Sequence, residues 1–152
     1  MRVPAGMRQR WRRAGTPCLR PSRRLRWGQR IHAGSDITWL DDGLPELAVI
    51  RRRAETFDLI MLTAVWMHLD GDERARAMGH LPDLLARGGR IIMSLRHGPV
   101  PEGRLLFAVT AAETAELAAS VGLGLVHSSE REDMLGRDEI NWSFLAFQRN
   151  SG

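Results

Sequence analysis

Two short runs of almost wholly apolar residues, Phe57–Thr63 and Arg90–Leu95, flank a segment of helical spacing, and this arrangement narrows the fold most. A strand that reads as one continuous apolar run is covered on both faces, which is the habit of parallel sheets. Parallel neighbours need a crossover, usually a helix. The residues between the runs supply one: Asp70-Gly71-Asp72 starts a helix that buries Ala75, Met78 and Leu81 on one stripe. Pro82 restarts it as a short second helix, because proline suits a first turn and not an interior. Gly88-Gly89 then makes the tight turn into Arg90–Leu95.

The flanking segments keep the same alternation. Upstream, Ile37-Thr38-Trp39-Leu40 reads as a short strand ending at Asp41-Asp42-Gly43, and Pro45 to Glu55 as a helix opened by proline. Downstream, Thr110 and Glu113 form a T-x-x-E capping box for a helix reaching Val121, which Gly122 ends. A strand near Leu125 to His127, a polar loop through Gly136 and a last strand from Asn141 to Gln148 close the chain with two consecutive strands and no helix between them. Strands alternating with helices predict an α/β fold around a mainly parallel sheet.

Composition divides the chain. Residues 1–36 hold ten of the 22 basic residues, all arginine, against only Asp36, while the remainder carries net negative charge. Residues 1–30 show neither a period of two nor one near 3.6, so residues 1–36 are expected to be disordered or out of frame, with residues 37–149 as the folded unit. The absence of lysine suggests GC-rich coding more than a selected surface. The single Cys18 excludes an internal disulfide and any multi-cysteine metal cluster, which leaves the cytosol as the expected compartment. Arg12-Arg13 and Arg23-Arg24 lack the hydrophobic stretch of a twin-arginine signal, and no apolar run is long enough to span a bilayer.

Three stretches carry a family resemblance. Phe57-Asp58-Leu59-Ile60-Met61-Leu62-Thr63-Ala64-Val65-Trp66-Met67-His68-Leu69 is similar to the fourth strand and following loop of class I S-adenosylmethionine-dependent methyltransferases. Leu84-Leu85-Ala86-Arg87-Gly88-Gly89-Arg90-Ile91-Ile92-Met93-Ser94-Leu95 resembles their LLKPGG turn and fifth strand, with Arg87 in place of the usual proline. Trp39-Leu40-Asp41-Asp42-Gly43-Leu44-Pro45 resembles the third strand with its acidic end and LP step. The resemblance implies a Rossmann-like sheet, truncated at its N-terminus and ending in an antiparallel β-hairpin. It also implies S-adenosylmethionine as cofactor and methyl transfer to an acceptor, a small molecule being favoured.

The departures from that family are specific. Its first strand and G-x-G-x-G loop have no counterpart before Trp39, and the one G-x-G, Gly122-Leu123-Gly124, follows a helix and enters a strand, the reverse of a cofactor cradle. Arg20 stands where an acid would grip the ribose hydroxyls, and a guanidinium accepts no hydrogen bond. This reading expects a chain that starts inside a methyltransferase gene, or is out of frame before about Pro21, and whose methyl transfer is impaired. It also leaves Phe57–Thr63 as an exposed strand edge, open to self-association.

Methyl transfer from a sulfonium is an in-line displacement, so the protein mainly holds donor and acceptor at attack distance and adds a base when the acceptor is protonated. No metal is required. Ligands of open α/β sheets bind beyond the carboxyl ends of the strands, which gathers Asp41, Asp42, Thr63 to His68 and Arg96-His97 around one crevice. By resemblance, Asp41 or Asp42 accepts from the adenine amino group, and the backbone of Thr63, Ala64, Val65 and Trp66 lines the cofactor. The Trp66 side chain either walls the pocket or fills core. His68 and His97 are the candidate bases, because histidine titrates near neutral pH; each also has a structural reading. A different class of function, nucleic-acid binding through Arg10, Arg12, Arg13, Arg20, Arg23, Arg24 and Arg26 with Trp11 and Trp27, competes with a solvated tail, and a non-catalytic remnant is a further alternative.

Overall fold

The computed structural model describes residue 34 and residues 36–149. The expectations placed on the arginine-rich segment, on Leu19–Ser22 and on His32 lie outside the described residues. Strands β1 (Phe57–Thr63), β2 (Leu85–His97), β3 (Leu123–Glu132) and β4 (Asn141–Arg149) form one sheet in the order β1-β2-β4-β3. β1 and β2 run parallel, with Thr63 opposite Ser94, and β4 is antiparallel to both β2 and β3. The predicted α/β class and closing hairpin are therefore present.

Register and side-chain alternation make the core. Ile60, Ile91 and Phe147 face one another across three strands, as do Leu62, Met93 and Leu145. All six are buried, and each such side chain removed from water contributes roughly 1.5–3 kcal/mol. Helix α3 (Ala111–Ser120) packs on β3 and β4 and meets α2 (Gly71–His80). The other sheet face, with Met61, Ile92 and Ala146 in register, is only half-buried. β1 is an edge strand among the described residues, as expected for a sheet truncated at its N-terminus, whereas the predicted cover on both faces is incomplete, Leu59 and Met61 on one face being half-buried. Its apolar run registers a surface that wants cover, not a neighbour that supplies it.

Local chemistry accounts for most element ends. Asp70 caps α2 through its Oδ1, which accepts from the Glu73 N–H at 2.8 Å, while Glu73 Oε2 accepts from the Asp70 N–H at 3.0 Å. Thr110 Oγ1 accepts from the Glu113 N–H at 3.1 Å and starts α3. The reciprocal half of that predicted box is missing, because the Glu113 carboxylate lies 3.4 Å from Arg74 Nη1 instead. Gly122, at φ +81°, follows α3 and leads into β3 in the left-handed conformation that glycine adopts freely.

Several boundaries differ from expectation. Ile37–Leu40 forms no strand. The helix expected over Pro45–Glu55 is reduced to α1 (Ala48–Arg52). β2 begins at Leu85, not Arg90, and its pairing with β1 shifts register around Gly88-Gly89. β3 runs well past His127 because β4 offers it a long ladder partner. On α2 the buried positions are Arg74, Ala77 and Met78, continued by Leu81; the predicted Ala75 is exposed. No helix among the described residues is long and apolar enough to cross a membrane.

Candidate functional site

Strand direction gathers three loops at one end of the sheet. Parallel pairing puts the carboxyl ends of β1 and β2 together, and His97 opposite Asn141 brings the start of β4 and the end of β3 to the same place. The loops leaving that end are residues 64–70, 98–110 and 133–140. In open α/β sheets this is the ligand end.

The first loop turns sharply out of β1. Ala64 adopts φ +54°, a left-handed conformation that costs a residue with a Cβ roughly 1–2 kcal/mol. Its N–H donates to Ser94 Oγ at 2.9 Å, so β2 holds the turn in place. Thr63 stays exposed, whereas Val65, Trp66 and Met67 plunge inward as the start of a 3₁₀ turn. Trp66 is wholly buried, which settles its side chain as core and not as a pocket wall. Its Nε1 is also buried without a hydrogen-bond partner among the described residues.

His68 keeps one ring nitrogen without a partner among the described residues. Its Nδ1 lies 3.2 Å from the Leu105 carbonyl oxygen, which can only accept, so Nδ1 carries the proton. A neutral His68 then presents its Nε2 lone pair as a base. The same contact fastens the second loop, as does the Phe107 N–H donating to the Met67 carbonyl at 2.8 Å. Arg74 anchors the end of that loop: its buried guanidinium donates to the Ala108 carbonyl at 3.0 Å and, through Nε, to the Asp70 carbonyl at 3.3 Å. Sequence reasoning passed over Arg74, because a lone arginine on a helix face reads as solvated.

His97 is tied differently. Its Nε2 is 2.7 Å from Ser143 Oγ, and Ser143 is buried, so this histidine is braced by β4. Immediately after it, Gly98 at φ +109° packs so closely on the Glu139 carbonyl that no Cβ would fit, which seats the second loop against the third.

The third loop is built around Asp133. Its carboxylate accepts from Arg137 Nε at 2.8 Å and Nη2 at 2.9 Å, from Trp142 Nε1 at 2.9 Å and from the Leu135 N–H at 3.1 Å. Hydrogen bonds from Arg137 and then Trp142 hold this carboxyl well below the usual carboxylate range and raise the Arg137 guanidinium in return. Because the folded value is depressed, the stabilisation is complete above the unfolded value, about 3.9, and is lost as pH falls from there toward the folded value. Asp133→Asn should therefore be less stable than the parent at pH 7, and the difference should shrink below about pH 4. Urea unfolding of both proteins at pH 7 and pH 3 checks this; a constant difference would contradict it.

Asp41 and Asp42 separate into two roles. Asp42 Oδ1 accepts from the Gly43 N–H at 3.0 Å and Oδ2 from the Ile50 N–H at 2.7 Å, so its carboxylate is engaged by the backbone around α1. Asp41 is exposed and makes no hydrogen bond or ion pair among the described residues. The turn they share leads to Glu46, which pairs with Arg76 at 3.2 Å in the second half of α2. Thr63, Ala64, His68 and His97 thus gather at one sheet end, while neither aspartate makes a hydrogen bond or ion pair to them among the described residues.

No family model matches the chain, and no curated protein does. Solved structures match its fold. The chain is similar to the 1,6-didemethyltoxoflavin-N1-methyltransferase of Burkholderia thailandensis, solved with 1,6-didemethyltoxoflavin and S-adenosylhomocysteine, at 17% identity and TM-score 0.65, over 88% of this chain and 59% of that one. It is similar to the N-methyltransferase NodS of Bradyrhizobium japonicum with S-adenosylhomocysteine, at 20% identity and TM-score 0.59, over 81% and 59%. It is also similar to the magnesium protoporphyrin IX methyltransferase of Synechocystis with S-adenosylmethionine, at 17% identity and TM-score 0.58, over 82% and 52%. The chain spans between half and three-fifths of the length of these enzymes.

Proposed function

We propose that this chain is the carboxyl-terminal part of a class I S-adenosylmethionine-dependent methyltransferase acting on a small-molecule acceptor. The fold is that of S-adenosylmethionine-dependent methyltransferases, and its likeness to three such enzymes crystallised with the cofactor or its product carries the reading. S-adenosylmethionine, when bound, supplies the electrophilic methyl group.

The residues present fit one part of that cofactor. Asp41, whose carboxylate has no partner among the described residues, can accept from the adenine amino group, and Thr63, Ala64 and Val65 offer a fixed turn at the ligand end for the backbone to line. Asp42, with both oxygens engaged, serves the fold instead. The glycine loop has no counterpart among the described residues. His68 Nε2 takes the acceptor's proton, and His97, braced by Ser143, orients the acceptor beside it.

The two aspartates give a test. Asp42→Ala should cost about 0.5–2 kcal/mol of stability, as loss of a capping carboxylate does, without selectively weakening ligand contact. Asp41→Ala should stay within about 0.5 kcal/mol of the parent, as exposed substitutions do, yet lose the saturation transfer from protein to the adenine protons of S-adenosylhomocysteine. Undiminished transfer in Asp41→Ala would remove this residue from the site.

A further inference from the structure

Seven large apolar side chains are exposed among the described residues, and four of them, Val100, Leu105, Met134 and Leu135, stand on two loops at the ligand end. Met134 is 95% exposed and Leu135 78%. Clustered apolar exposure of this kind marks a binding surface more often than scattered single residues do.

These side chains cannot simply fold away. The Asp133 carboxylate, with its bonds to Arg137, Trp142 and the Leu135 N–H, fixes the loop that carries Met134 and Leu135. Gly98 seats the other loop directly on the Glu139 backbone, and the bond from His68 to the Leu105 carbonyl ties that loop beside a candidate base. A surface held open in advance loses little freedom when a ligand arrives.

Charge narrows what it receives. Residues 130–140 carry five acids, Glu130, Glu132, Asp133, Asp138 and Glu139, against Arg131 and Arg137, and the Arg137 charge is engaged by Asp133. Net negative charge around an apolar tip repels polyanions and suits neutral or cationic molecules.

We propose that the loops 98–110 and 133–140 form a preorganised receiving surface for the methyl acceptor, which is a neutral or cationic small molecule with an apolar face, not a nucleic acid or a phosphorylated compound. The word acceptor rests on the methyltransferase reading above; the surface itself does not.

The test uses the full chain, isotope-labelled, and two dyes that share one ring system: neutral N-phenyl-1-naphthylamine and anionic 1-anilinonaphthalene-8-sulfonate. The neutral dye is expected to bind at least about tenfold more tightly and to shift the amides of Val100, Leu105, Met134 and Leu135. The double variant Met134→Ser/Leu135→Ser should bind it about tenfold less tightly, the loss expected when central apolar anchors are removed, with an unchanged unfolding midpoint. Asp133→Asn, which loosens the tip but keeps both apolar residues, should also bind it less tightly. Equal affinity for the two dyes, or amide shifts confined to β1, would overturn the proposal. Adding S-adenosylhomocysteine to millimolar concentration separates the two claims: dye shifts at the loops without any ligand shifts at Thr63–Val65 would uphold the surface and defeat the methyltransferase reading.

Discussion

Trp66→Ala is expected to destabilise the chain by about 3–5 kcal/mol, the range for deleting a large aromatic from a packed core, whereas Trp66→Phe should cost less than about 1.5 kcal/mol. The contrast follows from two facts about the same side chain. Trp66 has no exposed surface, so alanine leaves a cavity where the turn after β1 meets the sheet. Its Nε1 is buried without a partner among the described residues, and an unsatisfied buried donor carries a penalty of roughly 1–3 kcal/mol. Phenylalanine removes that donor while keeping most of the apolar volume, so the two changes oppose each other. Urea unfolding of the three proteins measures the difference. If Trp66→Phe were as damaging as Trp66→Ala, the indole N–H would have to be stabilising the fold.

The second large effect concerns the cofactor. The 152-residue chain is expected to bind S-adenosylmethionine roughly two to four orders of magnitude more weakly than the same chain furnished with a glycine-rich loop. Backbone amides of such a loop and an acid on the ribose contribute about 1–3 kcal/mol each when a charged group takes part, and each 1.4 kcal/mol is about tenfold. The one G-x-G of the chain cannot substitute: Gly122 leads out of α3, and Leu123 and Gly124 already belong to β3. Calorimetry of the purified chain is expected to find a dissociation constant far above the micromolar range. A low-micromolar value would mean that some other part of the chain builds the missing contacts.

What was legible in the sequence was whatever local chemistry dictates. The apolar runs of β1 and β2, proline at the start of the 3₁₀ turn Pro82–Leu84, the Thr110 cap and the glycine after α3 each declare an element through neighbouring residues alone. Features that depend on distant partners were not legible. Arg74 displaces Ala75 from the buried stripe of α2 because its guanidinium finds the Ala108 carbonyl and Glu113, far along the chain. The Asp133 clamp needs Arg137 and Trp142 to converge, and a run of charges in a loop signals only solvation. Ile37–Leu40 has the composition of a strand, yet pairing is a property of two segments and not of one.

The site shows the same division. The clustering of Thr63, Ala64, His68 and His97 at one sheet end was predictable from strand direction. The different fates of Asp41 and Asp42 were not, since two adjacent acids look alike until one is seen holding the Gly43 and Ile50 amides. The left-handed Ala64 turn carries no sequence signal either, since alanine, unlike glycine, asparagine or aspartate, is not a residue that favours it.

The most direct test of the account is an amide chemical-shift titration of the labelled chain with S-adenosylhomocysteine, carried to millimolar concentration. The account predicts shifts at Asp41 and Thr63–Val65 that grow without saturating at micromolar ligand. Shifts confined to Gly88-Gly89 and Gly122–Gly124, at the opposite ends of the strands, or no shifts at all, would contradict it.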